Sequence, residues 1–254
     1  MGEALSPPLR LLSFSTIDST NEEARRRALA GAPEGTAVVA ETQSAGRGRQ
    51  GRRWESPPGN LYCSLLLRPG CAPRQGANLS FAAALAVADA IGPLLPPRVD
   101  LRFKWPNDVL LDGRKAAGIL LESQVAADAL EWIVIGVGVN IARFPSNAMF
   151  PATSLAAAGC RDVAVREVME PYFDHLRLWY RRWREEGFGV LRAAWLARAA
   201  GLGRTVEAAL GPERVRGTFV DLDSEGALVL DTGSGVRKIT AGDVFFAAAP
   251  APPA

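Results

Sequence analysis

Apolar positions change between two spacings along the first 145 residues, and this change predicts a mixed α/β arrangement. Apolar runs and period-two patterns predict strands over residues 9–14, 36–41, 60–67, 101–104, 109–111, 116–122 and 133–141. Spacing of three and four predicts helices over residues 20–29 and 78–91. Asp112-Gly113 favours a tight hairpin turn between two of the strands. Strands and helices that alternate in this way are typical of a mixed α/β arrangement.

The second half of the chain changes character at about Val165. Phe173, Leu176, Tyr180 and Trp183 recur three and four apart, which predicts a helix with a buried aromatic face. After a break near residues 199–203, four short strands are predicted over residues 205–210, 214–221, 227–231 and 236–240. We therefore predict a large domain over residues 1–200 and a small β-barrel over residues 203–254, ending in a Pro/Ala tail at 247–254.

Two glycines interrupt the apolar strand at residues 133–141. Gly136 and Gly138 lie two apart and therefore face the same side of the sheet. Each glycine costs roughly 0.5–1 kcal/mol relative to alanine, so we expect something to lie close against this bare face. A tightly packed helix and a bound ligand are equally acceptable explanations at this point.

The segment Gln43–Trp54, here called the arginine loop, has the composition of an anion-binding site. Three glycines let backbone amides approach closely, and four arginines bring forked donors, at Gly46, Gly48, Gly51, Arg47, Arg49, Arg52 and Arg53. A dinucleotide-binding fingerprint is excluded, because Pro57-Pro58 prevents a following helix and no acidic residue stands about 20 positions on. The Gly-Lys-Ser/Thr of a phosphate-binding P-loop is also missing.

Composition narrows the possible classes of protein. The 254 residues carry a formal charge of +2, too close to zero for an overall field that holds DNA or an anionic membrane. Cys63, Cys71 and Cys160 have no metal-like spacing, which favours a reducing cytoplasm. No apolar run reaches the roughly 18 residues of a membrane span, so we expect no membrane partner. A single histidine, His175, excludes most catalytic triads and His-rich metal sites.

Four segments in this order resemble a known family: Ser19-Thr20-Asn21, the arginine loop, Lys104-Trp105-Pro106-Asn107-Asp108, and Lys115-Ala116-Ala117-Gly118-Ile119-Leu120. Together they are similar to the biotin protein ligases, and the resemblance spans the whole chain. It implies an α+β fold, with a mixed-sheet, class II synthetase-like catalytic domain over residues 1–200 and a small SH3-like barrel over 203–254. Because only about eight residues precede the first predicted strand, a short form without an N-terminal DNA-binding domain is expected, with no DNA partner.

The resemblance also implies the chemistry. Members of this family use ATP and Mg²⁺ to convert biotin to biotinyl-5'-AMP, then transfer biotin to one lysine of a biotin carboxyl carrier domain in a carboxylase. They often dimerise through the catalytic sheet, so a homodimer is possible here.

The expected site residues follow by matching the family's motifs to this sequence. Lys115 and Arg49 are the implied catalytic residues. The implied biotin-binding residues are Ser19, Thr20, Asn21, Gln43, Gly46, Arg47, Gly48, Arg49, Lys115, Gly118, Gly136 and Gly138. The implied ATP and adenylate residues are Arg47, Arg49, Arg52, Arg53, Trp54, Asn107, Lys115 and Asn140. Lys104, Trp105 and Asp108 are expected to form a scaffold around Asn107, and no metal ligands are assigned.

A geometric requirement and three alternatives remain. Regular alternation would place Lys115 and Gly118 on opposite faces, so the hairpin must twist or bulge if both line one pocket.

A lipoate ligase shares the general fold, although its Arg-Arg and Gly-Gly-Gly pattern with a following histidine has no match here. A non-catalytic biotin or nucleotide sensor would keep the pocket without transfer, and an RNA-binding protein would use the arginine loop with steep salt dependence.

Overall fold

A computed structural model describes residues 9–246, and the predicted tail at 247–254 lies outside them. The larger sheet has seven strands in the order β1-β2-β3-β7-β6-β5-β4. β1 and β2 are parallel and the other neighbours are antiparallel, which confirms the predicted mixed sheet. The strands are β1 Arg10–Ile17, β2 Thr36–Gln43, β3 Leu61–Leu67, β4 Leu101–Lys104, β5 Asp108–Leu111, β6 Arg114–Ala126 and β7 Ala129–Val139.

The helices cover the sheet and share the core with its strands. They are α1 Thr20–Leu29, α2 Pro73–Ala77, α3 Leu79–Ile91, α4 Val165–Glu186 and α5 Phe188–Leu196. The alanine-rich α3 is buried along nearly its whole length, and the predicted aromatic face of α4 is buried as well. The division between α4 and α5 was not predicted. It falls at Gly187, whose φ of +78° is a conformation that side chains other than glycine rarely adopt.

In the described part of the chain, the stretch Pro73–Leu94 is long and apolar enough to cross a membrane. Most of its residues are buried inside the protein, and a core helix has the same length and composition. The stretch is therefore weak evidence for a membrane segment.

The C-terminal sheet contains five antiparallel strands in the order β11-β10-β9-β8-β12. They are β8 Thr205–Leu210, β9 Glu213–Leu222, β10 Leu228–Asp231, β11 Val236–Ile239 and β12 Asp243–Phe246. The predicted SH3-like barrel is confirmed in this arrangement, with the inward side chains of β8, β9 and β10 buried. The sequence prediction missed β12, because four residues beside an Ala/Pro tail show no clear period.

A β-bulge separates Lys115 from the rest of its strand. Leu110 pairs with Lys115 and Val109 pairs with Ala117, so Ala116 has no partner in the ladder. The extra residue turns Lys115 toward the same side as Gly118, where an added Cβ would stand 3.1 Å from Lys115 Cε. The bulge that the sequence required is therefore present.

Candidate functional site

A cavity of about 380 Å³ opens above β6 and β7. The N-terminus of α1, the arginine loop, residues 145–152 and the start of β12 surround it. All the sequence-predicted site residues line it except Gly46: Ser19, Thr20, Asn21, Gln43, Arg47, Gly48, Arg49, Arg52, Arg53, Trp54, Asn107, Lys115, Gly118, Gly136, Gly138 and Asn140. Gly46 lies behind them, where a Cβ would stand 2.5 Å from Trp54 O and 2.7 Å from Ser56 Oγ. Its small size lets the arginine loop fold back on itself.

The bare face of β7 is filled by two side chains of the site itself. A Cβ on Gly136 would collide with Asn21 Oδ1, and a Cβ on Gly138 would stand 2.6 Å from Trp54 Cε2. The first turn of α1, which carries Asn21, needs the room at Gly136, and the arginine loop, which carries Trp54, needs the room at Gly138. The two glycines leave room for the Asn21 amide and the Trp54 ring, which together form the floor between the two ends of the cavity.

Uncharged hydroxyl and amide groups form one end, here called the amide end. It begins at the N-terminus of α1, where Ser19 Oγ accepts the Glu22 N–H at 3.5 Å. Thr20 N–H donates to Gln43 Oε1 at 2.8 Å, and Gln43 Nε2 donates to Ser56 Oγ at 2.9 Å. These bonds hold the Gln43 amide in one orientation at the cavity wall.

Arg47 closes the outer side of the amide end. Its Nη2 lies 3.0 Å from Glu22 Oε2 and 3.0 Å from Glu122 Oε1. Glu122 also accepts a hydrogen bond from Asn21 Nδ2 at 2.7 Å. One carboxylate therefore joins α1, β6 and the arginine loop.

Two lysines and one buried carboxylate form the lysine cluster at the opposite, charged end. Lys104 Nζ lies 3.1 Å from Asp108 Oδ2, and Lys115 Nζ lies 2.6 Å from Asp108 Oδ1. Burial alone would raise the pKa of Asp108, but the charges of Lys115 and Lys104 outweigh burial and lower it. For Lys104 burial has the opposite effect and lowers the pKa, because it disfavours the charged ammonium group. Asp108 is thus the shared counter-ion of both lysines.

Two arginines, here called the arginine pair, form the other half of the charged end. Arg49 donates from Nη1 to Asn107 Oδ1 at 3.1 Å and from Nη2 to the Gly242 carbonyl at 2.9 Å. Arg52 donates from Nη2 to Asp243 Oδ1 at 2.9 Å. Burial lowers the pKa of Arg49. The C-terminal sheet therefore reaches directly into the site through Gly242 and Asp243, which the sequence reasoning missed.

The segment at residues 145–152 was also missed, because its mixed composition matches no motif. It contributes Pro145, Asn147, Ala148, Met149, Phe150 and Ala152 to the cavity wall. The Phe150 ring centroid lies 3.3 Å from Lys104 Nζ and 5.0 Å from the Phe245 centroid. Phe150 therefore packs the lysine cluster against the C-terminal sheet.

In the part of the chain that the structure describes, the protein alone does not offer a magnesium cage. Within residues 9–246 no three His, Cys, Asp or Glu side chains form a group that could hold a metal ion. The two carboxylates at the charged end, Asp108 and Asp243, are each paired with lysines or arginines. Since Mg²⁺ is commonly held by few carboxylates and by substrate phosphates, an ion here would have to arrive with a polyphosphate.

The sheet, the barrel and the two-ended cavity define a class of protein that matches known family models. The model for the biotin/lipoate A/B protein ligase family matches residues 13–140, and that for the biotin protein ligase C-terminal domain matches residues 201–247. The chain belongs to the biotin/lipoate A/B protein ligase family, in its biotin protein ligase branch. The C-terminal match does not favour the lipoate ligase alternative.

Individual relatives agree over nearly the whole chain. The biotin–[acetyl-CoA-carboxylase] ligase of Paracoccus denitrificans is 42% identical over 239 residues, covering 92% of this chain and 99% of the relative. The bifunctional ligase/repressor BirA of Bacillus subtilis is 34% identical, covering 92% of this chain and 73% of BirA. The biotin protein ligase of Aquifex aeolicus, solved with biotin and ATP, has a TM-score of 0.79 and 28% identity, covering 93% and 97%.

Proposed function

We propose that this chain activates biotin with ATP to biotinyl-5'-AMP and then transfers biotin to a lysine of a biotin carboxyl carrier domain. The observation that carries the proposal is the division of one cavity into an amide end and a charged end. Biotin has an uncharged cyclic urea, an aliphatic chain and a carboxylate, in that order. The amide end suits the urea, the Trp54 and glycine floor suits the chain, and the charged end suits the carboxylate and the nucleotide.

In the first half-reaction, a carboxylate oxygen of biotin attacks the α-phosphorus, the bond to the bridging oxygen breaks, and pyrophosphate leaves. Both reactants are anions, so positive charge must offset their repulsion and stabilise the transition state. Lys115 and Arg49 are the catalytic residues in this proposal. The bulge supports the assignment, because it turns Lys115 toward Gly118, where the floor meets the charged end.

In the second half-reaction, the amine of the carrier lysine attacks the acyl carbon, loses a proton, and AMP leaves. Water would destroy the same mixed anhydride, so the site must exclude it before the carrier arrives. The Trp54 ring covers β7, and the arginine loop covers the floor. These two features support a protected intermediate.

The remaining assignments are parts of the same proposal. Ser19, Thr20 and Gln43 bind the urea, and Asn107 and Asn140 contact the nucleotide or its phosphates. Mg²⁺ would neutralise phosphate charge when it is bound with ATP, and the paired carboxylates at the charged end support its arrival on the phosphates rather than on a protein cage.

Domain boundaries, location and assembly belong to the proposal as well. Residues 1–200 are the proposed catalytic domain and residues 203–254 the C-terminal domain. Three unpaired cysteines support a reducing cytoplasm. A homodimer through the catalytic sheet is supported by the position of β1 at the edge of that sheet, and light scattering in solution tests it.

The decisive experiment measures biotin transfer to a purified carrier domain with ATP and Mg²⁺, with lipoate assayed in parallel. We expect biotinylation by the native chain and collapse in Lys115→Ala and Arg49→Ala. Arg114→Ala, an exposed neighbour that does not line the cavity, is the matched control and should keep its activity. Tight biotin binding without any transfer would replace the ligase by a sensor, and transfer of lipoate instead of biotin would replace the substrate.

A further inference from the structure

Ser64 is a polar side chain buried in the middle of β3, and the proposed reaction does not use it directly. It has no exposed surface, and its Oγ lies 2.6 Å from Asn21 Oδ1 and 2.8 Å from Thr20 Oγ1. Asn21 and Thr20 line the cavity, whereas Ser64 does not. Ser64 therefore contacts two residues of the amide end from behind.

The orientation of the Asn21 amide is set by its surroundings. Asn21 Nδ2 lies 2.7 Å from the Glu122 carboxylate and 3.5 Å from the Leu120 carbonyl, and both groups can only accept hydrogen bonds. The NH₂ group must face them, which directs Oδ1 toward Ser64. Glu122 thereby determines that Ser64 contacts the oxygen of the Asn21 amide and not its nitrogen.

Each hydroxyl group carries only one proton, and this determines the direction of the hydrogen bonds that Ser64 and Thr20 make. Asn21 Oδ1 can only accept, so Ser64 donates its single proton there. The 2.8 Å contact between Ser64 and Thr20 needs a proton too, and only the Thr20 hydroxyl can supply it. The alternative acceptor for that proton, Gln43 Oε1, is farther away at 3.2 Å and already receives the Thr20 N–H.

We propose that Ser64 is a positioning residue that makes the Thr20 hydroxyl a hydrogen-bond acceptor toward the cavity. With its proton committed to Ser64, Thr20 Oγ1 offers only lone pairs to a ligand. It selects a ring N–H at that point and repels a ring oxygen. The inference rests on the proposed function, since the cyclic urea of biotin carries two N–H groups.

The test compares two ligands on the native protein by calorimetry: biotin, and its cyclic carbamate analogue with one ring N–H replaced by oxygen. We expect the native protein to prefer biotin by about 100-fold or more, because a site built to accept an N–H rejects an analogue without it. Ser64→Ala frees the Thr20 proton to turn toward the cavity. Biotin binding should weaken about tenfold, the net value of one or two hydrogen bonds, while analogue binding holds or improves.

Two further variants separate hydrogen bonding from packing. Ser64→Cys keeps the shape of the side chain with a slightly larger atom but is a poor donor, so it should also lower the biotin-to-analogue ratio. If Ser64→Ala fails to fold, Ser64→Cys provides the test in its place. In a Thr20→Val background, Ser64→Ala should leave that ratio unchanged, because no hydroxyl remains to be positioned.

Each opposite result overturns the proposal. Equal weakening of both ligands by Ser64→Ala, or a native ratio in Ser64→Cys, would mean that Ser64 only fills space. A changed ratio in the Thr20→Val background would mean that Ser64 acts through another group. A native protein that does not bind biotin at all would overturn the proposed function itself, a result distinct from an unchanged ratio in the variants.

Discussion

The lysine cluster and the arginine pair place positive charge at the same end of one cavity, but they are held in different ways. Lys104, Asp108 and Lys115 lie on or beside three adjacent strands, β4, β5 and β6, with short distances along the chain. The arginine pair stands on an irregular loop, and its partners Gly242 and Asp243 are more than 190 residues away in sequence. The sheet positions the first set of charges, and a contact between the two sheets positions the second.

Because they are held differently, the lysine cluster and the arginine pair should be sensitive to different substitutions. A charge on a strand keeps its position when a neighbour changes, but its burial makes an unpaired partner costly. A charge on a loop has no strand to hold it, so it loses its direction once its distant partner is gone. Substitutions in the lysine cluster should therefore affect stability and rate, whereas those around the arginine pair should affect nucleotide binding.

The largest effect is expected for Asp108→Asn. It leaves the buried Lys104 and the partly buried Lys115 without their counter-ion, which should lower the free energy of unfolding by about 3–5 kcal/mol at pH 7. The pKa of Asp108 is lowered in the folded protein, so its stabilisation is present above the unfolded value of 3.8 and is lost as pH falls through the folded value. Urea unfolding at a series of pH values should show the native and variant curves converging below about pH 4.

Asp112→Asn, in the exposed turn of the same hairpin, is the control and should stay close to the native stability at pH 7. A constant difference between native and Asp108→Asn across the acid range would contradict the shared counter-ion.

Lys115→Ala should have the next largest effect, a fall of about 10²- to 10³-fold in the rate of adenylate formation, the usual value of one donor aimed at developing charge. Biotin-dependent exchange of pyrophosphate into ATP measures this step without a carrier. Arg114→Ala is the control at the neighbouring exposed position. A fall of less than tenfold would show that the strand-borne charge is not the catalytic one.

Asp243→Asn tests the contact between the two sheets. The carboxylate lies 2.9 Å from Arg52 and 3.7 Å from Arg49. Neutralising it should loosen the arginine pair and raise the KM for ATP about tenfold, close to the lower limit of the usual 1.5–3 kcal/mol of a charged hydrogen bond. Biotin affinity should change much less, because the amide end and the floor, which hold the urea and the chain of biotin, do not contact Asp243. An equal loss of affinity for both substrates would indicate general unfolding of the interface.

The sequence predicted the parts of the site that lie in short motifs, and it missed the parts brought in from elsewhere. The helix start, the arginine loop, the hairpin and the glycine strand all show local patterns, and their residues line one cavity. Asp243 stands alone after Gly242, with nothing local to mark it. A contact between residues 191 apart in sequence depends on how the barrel packs against the larger sheet, which local patterns do not encode.

Ser64 did carry a signal that the sequence reasoning did not use. It is a small polar residue inside the otherwise largely apolar run Leu61–Leu67, and a buried polar group needs a partner. The local pattern does not identify that partner, because Thr20 and Asn21 lie on α1, far from Ser64 in sequence, and contact it only in the folded protein.

The smallest effect is expected where α2 and the turn between β9 and β10 are joined by an exposed ion pair. Arg74 and Glu225 lie 3.0 Å apart, but 80% and 51% of their side-chain surfaces are exposed. Water screens such a pair, so Glu225→Gln should change the free energy of unfolding by less than about 0.5 kcal/mol. It should also leave the KM for ATP at its native value, since Arg74 is on α2, away from the cavity. Glu225→Gln is measured beside Asp243→Asn. The comparison tests whether loosening any contact of the barrel weakens nucleotide binding, or whether only the contact that holds the arginine pair does so. If Glu225→Gln raised the KM for ATP as much as Asp243→Asn, the barrel would act through its overall docking, and Asp243 would lose its specific role.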